Sequence, residues 1–222
     1  MIALLAPGQG SQTPGMLAEW LALPGAADRI DTWSAISGLD LAMLGSTATA
    51  EEITDTAVTQ PLVVATTLLA YREFANRGLP AATVVAGHSV GEIAAYAIAG
   101  VISPDDAVKL AAVRGAEMAK ACAAESTGMA AILGGDEADV LARLDALELV
   151  PANRNAAGQI VAAGAVTALE KLAEDPPARA RVRQRATAGA FHAHHLAAAL
   201  AGYAEAAASI PPADPTTTLL SN

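Results

Sequence analysis

The pentapeptide Gly87-His-Ser-Val-Gly91 sets one serine between two glycines, with a β-branched run at 83–85 before it and a small-residue, helix-period stretch at 92–99 after it. Strand, sharp turn and helix in that order are the context in which a serine becomes a nucleophile. Ser89 would stand on a strained bend at the end of a buried strand, and the two glycines would let strand and helix close without a side-chain clash. The helix would turn its free amides and positive dipole end toward the hydroxyl, where an oxyanion would form. The competing reading is a Gly-rich turn whose serine caps the helix.

An activated serine needs a base. His192, His194 and His195 lie close together in the sequence. A metal site there lacks a cysteine or clustered carboxylate to complete it, whereas a base for Ser89 requires only that the fold bring residues 89 and 192 together. Arg114, with Ala111, Ala112, Val113 and Met118 around it, reads either as a solvated helical arginine or as a cation kept for an anionic ligand. The turn Pro7-Gly-Gln-Gly-Ser-Gln12 exposes main-chain amides that suit an anion or oxyanion, although a plain turn is equally allowed. Arg179, Arg181, Arg183 and Arg185 alternate with Ala180, Val182, Gln184 and Ala186, so a strand there points all four guanidinium groups to one face. That face is either solvated, discouraging edge pairing, or a dock for phosphates or an acidic carrier.

The elements that must position these residues follow from pattern. Residues 2–6 read as a buried strand. Short helices are expected at 16–23, 30–36 and 50–55, and a longer one opens at Thr59-Gln-Pro61 with Pro61 in its first turn and runs to about Asn76. Ser103-Pro-Asp-Asp106 caps a helix that ends near Ala124. Beyond Gly128 the order is strand 129–133, helix 137–147, strand 148–153, strand 159–163, helix 166–173 and strand 181–187, with Asn155-Ala-Ala-Gly158 as the hairpin turn. That β-α-β-β-α-β order is the split βαβ of a ferredoxin-like unit. The expected organisation is therefore an α/β fold: a larger lobe of residues 1–124 with 191–222, and an inserted ferredoxin-like lobe of residues 125–190. The end of the chain, 216–222, reads as a strand just begun.

Composition sets limits. With 222 residues and 53% of them hydrophobic, mostly alanine and aliphatics, the chain can build a sizeable core. No run of 18 apolar residues occurs, and the apolar start lacks a basic leader, so neither a membrane span nor a signal peptide is expected. Cys122 is the single cysteine, which rules out an intrachain disulfide and fits a cytoplasmic location. A net charge of -10 argues against general nucleic-acid binding and confines any polyanionic substrate to a local basic patch.

With Gly8-Gln-Gly-Ser-Gln12, Gly87-His-Ser-Val-Gly-Glu92, Val113-Arg-Gly-Ala-Glu-Met118, Asn153-Arg-Asn-Ala-Ala-Gly-Gln159 and Gly189-Ala-Phe-His192 in that order, the sequence resembles the malonyl-CoA:acyl carrier protein transacylases of fatty acid synthesis and, beside them, the acyltransferase domains of polyketide synthases. The resemblance spans essentially the whole chain and implies an α/β-hydrolase-like core with a parallel sheet and an inserted ferredoxin-like (βαββαβ) subdomain. It implies Ser89 as nucleophile, His192 as base, the amides of Gln9 and Val90 as oxyanion hole, and Arg114 as the fork that binds the free carboxylate of malonate. Gln60, His88 and Asn155 match positions in or beside the pocket, and Phe191 matches the residue that excludes an α-methyl group. The implied partners are malonyl-CoA and an acyl carrier protein, with docking near Arg181 and Arg183. No metal or redox cofactor is implied. Members of the family continue past the position of Asn222 with more sheet and helix, including the main-chain carbonyl that orients the histidine. The rival readings are a serine esterase or thioesterase, and an inactive carrier-binding fragment.

Overall fold

Strand β2 (Val84–Gly87) is the middle of a three-stranded parallel sheet in the computed structural model of the chain, which describes residues 2–185 and 189–221. On one side it pairs with β1 (Ala3–Ala6), Ala6 standing opposite Gly87; on the other it pairs with β7 (Thr218–Leu220), which is the strand expected at the chain's end. Parallel neighbours need long crossovers, and helices supply them. They are α1 (Ala26–Ser37), α2 (Leu41–Ser46), α3 (Thr56–Asn76), α4 (Gly91–Ile98), α5 (Pro104–Ala124) and α8 (Leu200–Ala208). Their apolar faces bury Leu17, Ile30, Trp33, Leu62, Val85 and Ile93 in one core. The indole N–H of Trp33 donates to Asp105 Oδ1 at 2.8 Å, so the largest buried side chain leaves no polar atom unsatisfied.

Start signals explain most helix boundaries. Ser103 Oγ accepts the amide of Asp106 and donates to its carboxylate, so α5 begins where its capping box lies. Helix α3 starts a turn earlier than Thr59 because the Asp55 carboxylate accepts the amide of Ala57; Pro61 consequently falls in the second turn rather than the first. Two of the expected short helices reduce to single 3-10 turns, Trp20–Ala22 and Glu52–Thr54. Leu23 precedes Pro24 and is extended at ψ 148, as a residue before proline prefers. Asp55 is drawn out of helical geometry by its capping role. Helix α2 escaped pattern reading, although Asp40 caps it through the amide of Met43.

The second sheet is antiparallel throughout, in the order β4-β5-β3-β6. Its strands are β3 (Thr127–Gly134), β4 (Val150–Ala156), β5 (Gln159–Ala165) and β6 (Ala180–Arg185), with α6 (Glu137–Ala146) and α7 (Val166–Glu174) between them. Helices cover one face, and the other is covered in part. Ala130, Ile132, Ile160 and Ala162 pack against Val140, Leu144, Leu169 and Leu172 of the two helices. The alternate residues Met129, Val161 and Ala163 pack against Met118, Ala190, Phe191 and Ala199.

That second face moves the unit boundaries. The chain divides into Met1–Glu117 with Ala201–Asn222, and Met118–Leu200, so residues 118–124 at the end of α5 and residues 191–200 go with the antiparallel sheet instead of the larger lobe. The hairpin turn is also shorter than expected. β4 continues through Asn155 to Ala156, Ala157 and Gly158 make the turn, and Asn155 is left unpaired at a register shift. Arg179 adopts φ 61 ahead of β6 and so lies outside the strand's alternation. Arg181 and Arg183 share one exposed face of this edge strand. The expected continuation of β6 to residue 187 lies outside the described residues.

Gly91 approaches strand β1 and the loop after it too closely for any side chain. A Cβ there would lie 2.4 Å from the carbonyl oxygens of both Ala6 and Pro7. Backbone cannot yield as a flexible side chain can, so Gly91→Ala is expected to destabilise the protein by about 2 to 3 kcal/mol. Urea denaturation of the two proteins measures this, and an unchanged midpoint would contradict the close approach.

Candidate active site

Ser89 sits between β2 and α4 with φ 53, a left-handed conformation that costs a non-glycine residue about 1 to 2 kcal/mol. The bend is held from both sides. The amide of His88 donates to Ala6 O at 3.1 Å, and the amides of Gly91 and Glu92 donate to His88 O and Ser89 O at 3.0 Å each. A Cβ on Gly87 would fall 2.2 Å from the carbonyl carbon of Gly91, and one on Gly8 would fall 2.6 Å from His88 O. Glycine is therefore required at three positions so that strand, elbow and the loop after β1 can touch. Val90, fully buried, caps α4 directly after the serine. Gln9 lies in the loop that Gly8 brings against the elbow.

Four sequence-predicted residues are joined by one run of side-chain hydrogen bonds. Arg114 donates through Nη2 to Ser89 Oγ at 3.4 Å and through Nη1 to Gln60 Oε1 at 2.8 Å. Gln60, 1% exposed, donates through Nε2 to Gln9 Oε1 at 3.4 Å, and Gln9 donates to Thr56 Oγ1 at 3.2 Å. The register of α5 on α3 is set by Gly115, whose absent Cβ would meet Thr56 O at 2.7 Å. Arg114 is thus held by its neighbours on the helix pair instead of extending into solvent.

Burial pulls the pKa of Arg114 down from its ordinary value, while Tyr203 and Glu92 oppose that shift. Burial likewise pushes the Tyr203 phenol up, against the pull of Arg114. An arginine keeps its proton under either influence, so the guanidinium is a fixed, partly desolvated cation beside a serine hydroxyl. Glu92 is itself positioned by Tyr96 and Ser221, whose hydroxyls donate to its Oε1. Glu92 was named only as the last residue of the elbow motif, and Thr56 and Tyr203 were not singled out from sequence: nothing in local spacing ties residue 203 to residue 114.

The remaining predicted residues are less central or lie in the other unit. His88 is exposed, and its main chain, more than its ring, builds the elbow. Asn155 is an exposed bulge residue of β4, in the second unit. Phe191 is 7% exposed among Met118, Met129, Val161 and Ala163. His192 follows it, exposed and at φ 56. Among the described residues only four non-glycines have positive φ, and Ser89 and His192 are two of them, which fits the tendency of backbone strain to collect at functional positions.

Arranged this way, the first unit offers a strained hydroxyl at a helix N-terminus and a forked cation within hydrogen-bonding range of it. Such a pair can receive an acyl group that carries its own negative charge. The chain matches the acyl transferase domain family over residues 4–221. It is 78% identical over 208 residues to a malonyl CoA-acyl carrier protein transacylase of Mycolicibacterium smegmatis, covering 93% of this chain and 72% of that protein. It is 72% identical to the one from Mycobacterium tuberculosis, covering 100% of this chain and 74% of that protein. A crystal structure of MCAT from Mycobacterium tuberculosis superposes with a TM-score of 0.96 at 71% identity, over 100% of this chain and 74% of that one. A more distant malonyl-transacylase, solved in complex with a type II PKS acyl-carrier protein, superposes with a TM-score of 0.92 at 29% identity, again over 100% of this chain and 74% of its own. Among the described residues no helix is long and apolar enough to cross a membrane. With a family match across nearly its whole length and relatives above 70% identity, this chain belongs to the malonyl CoA-acyl carrier protein transacylases.

Proposed function

We propose that this chain transfers malonyl from malonyl-CoA to the phosphopantetheine thiol of an acyl carrier protein through a malonyl-serine intermediate, in the cytoplasm. The observation that carries the reading is the guanidinium of Arg114 at 3.4 Å from Ser89 Oγ, braced by buried Gln60. Ser89 attacks the thioester carbonyl as His192 takes its proton. The amides of Gln9 and Val90 stabilise the oxyanion, each such donor being worth about 10² to 10³ in rate. The tetrahedral intermediate collapses, coenzyme A leaves as the thiol with the proton returned by His192, and the ester remains on Ser89. The carrier's thiol then gives its proton to His192, attacks the ester, and the same steps run in reverse order. Arg114 holds the malonyl carboxylate with two parallel hydrogen bonds, a geometry a lysine cannot offer. Phe191 fills the space that an α-methyl would need, and His88 and Asn155 flank the pocket. None of these steps calls on a metal or a redox cofactor.

The fold supports the same reading. In this reading the parallel sheet with its elbow forms an α/β-hydrolase-like core and the antiparallel sheet a ferredoxin-like subdomain, which the β-α-β-β-α-β succession and the order β4-β5-β3-β6 support. A serine esterase would share elbow and histidine, but it has no use for a buried cation next to the acyl-bearing hydroxyl. Labelled malonyl-CoA, followed by holo carrier protein or by buffer alone, separates the two: label should stay on the protein in buffer and pass to the carrier thiol. Rapid loss to water would mark an esterase, and no labelling at all would mark an inactive carrier-binding form.

Arg181 and Arg183, exposed side by side on β6 in a chain of net charge -10, are the dock we assign to the acidic carrier. Reversing both charges should raise the KM for carrier about tenfold or more at low salt while self-acylation by malonyl-CoA continues unchanged. Unaltered carrier kinetics would return the two arginines to the role of a solvated edge.

A further inference from the structure

We propose that Thr127 and the Glu125–His195 pair are positioning residues that tie down both ends of segment 189–195 and thereby hold His192 in its left-handed backbone conformation. The inference rests on the reading of His192 as the base and supplies what fixes it. A non-glycine residue at φ 56 persists only where its surroundings over-determine it, and the contacts on either side of His192 do so.

Upstream, Gly189 is buried so tightly that a Cβ would lie 2.3 Å from Cys122 Sγ and 3.3 Å from Thr127 Oγ1. The amide of Ala190 donates to Thr127 Oγ1 at 3.0 Å, the amide of Phe191 donates to Gly189 O at 3.1 Å, and the Phe191 ring is buried against the antiparallel sheet. Downstream, Ala193 is extended at φ -130 and ψ 167, and a 3-10 helix, His194–Ala199, begins at once. Nδ1 of His195 lies 2.6 Å from Glu125 Oε2, and Leu196 and Ala199 return to the apolar cluster that holds Phe191. The carboxylate only accepts, so the proton of this bond sits on the His195 ring.

Both anchors come from one turn. Glu125 and Thr127 stand two positions apart just before and at the start of β3, with the amide of Thr127 donating to Glu125 O at 3.0 Å. The fixed points at 190 and 195 straddle position 192, so the chain between them has little freedom to relax its φ. Glu125 is exposed, and a hydrogen bond to a solvated carboxylate adds little to stability. Its consequence is positional, and a base misplaced by a fraction of an ångström loses rate without losing substrate.

The test is pre-steady-state acylation by malonyl-CoA, expressed per titrated active site, for Thr127→Val, Thr127→Ser, Glu125→Ala and Glu125→Gln, with His192→Ala alongside. Thr127→Val and Glu125→Ala should each slow acylation on the order of tenfold with KM for malonyl-CoA unchanged, since small misplacement of a catalytic group is costly. Thr127→Ser and Glu125→Gln, which keep an acceptor in place, should return most of the rate. Should Thr127→Val fold poorly, the exposed Glu125 pair of variants decides alone. Rates per site equal to the parent's in both disrupting variants, with His192→Ala inactive, would overturn the positioning role while leaving the base assignment standing. Full activity in His192→Ala would instead remove the base assignment itself.

Discussion

Ser89→Ala is expected to abolish malonyl transfer, by at least about 10⁴-fold, and to leave the fold as stable as before within about 0.5 kcal/mol. Alanine keeps the same Cβ at φ 53, so the strain of the bend is neither relieved nor increased. The substitution removes the long 3.4 Å bond from Arg114, whose stronger bond to Gln60 at 2.8 Å remains. Activity and stability should therefore separate completely, which a serine serving only as a helix cap could not produce, since loss of a cap costs about 1 kcal/mol and no chemistry. Transfer assays with purified carrier, together with thermal melts, check both halves. His192→Ala should follow on the activity side with a loss of about 10² to 10⁴.

Arg114→Ala is expected to lower kcat/KM for malonyl-CoA about 10² to 10³-fold while acetyl-CoA loses no more than a few-fold. Removing one side of a desolvated, hydrogen-bonded charge pair typically costs about 2 to 5 kcal/mol, and acetyl has no carboxylate to lose its partner. The substitution also removes the 2.8 Å bond from Arg114 to Oε1 of Gln60, which is almost fully buried, so stability should fall by about 1 to 3 kcal/mol. That structural loss affects both substrates alike, and so the malonyl-to-acetyl ratio isolates the carboxylate contact. Arg114→Lys should recover only part of the ratio, because a point charge cannot reproduce the fork. Equal losses for the two thioesters would mean that the arginine supports the elbow and does not read the acyl group.

What could be read from the sequence was what short-range chemistry determines. The elbow needs two glycines and a strand before a helix, and all of that lies within Val84–Gly87, Ser89 and Gly91–Ile98. The capping box of α5 and the alternating order of the antiparallel sheet are local in the same sense. The network around Ser89 was not legible as a network, since Gln9, Gln60, Ser89 and Arg114 are brought together only by the packing of α3, α5 and the loop after β1. Ordered motifs named Gln9, Ser89, Glu92 and Arg114, and the family resemblance added Gln60, but no spacing rule links them, and Thr56 and Tyr203 carried no signal at all. The unit boundary falls seven residues earlier than the expected one for a related reason: a helical period does not reveal that the end of α5 packs with the second unit from Met118. Asn155 and Arg179 were misplaced by a bulge and a left-handed residue, irregularities that alternation alone conceals.

Intact-mass spectrometry of the protein after exposure to malonyl-CoA tests the central claim most directly. A single added malonyl group, mapped by fragmentation to residue 89 and discharged when holo carrier protein is supplied, is the expected result. An unmodified mass, or an adduct on any other side chain, would contradict it.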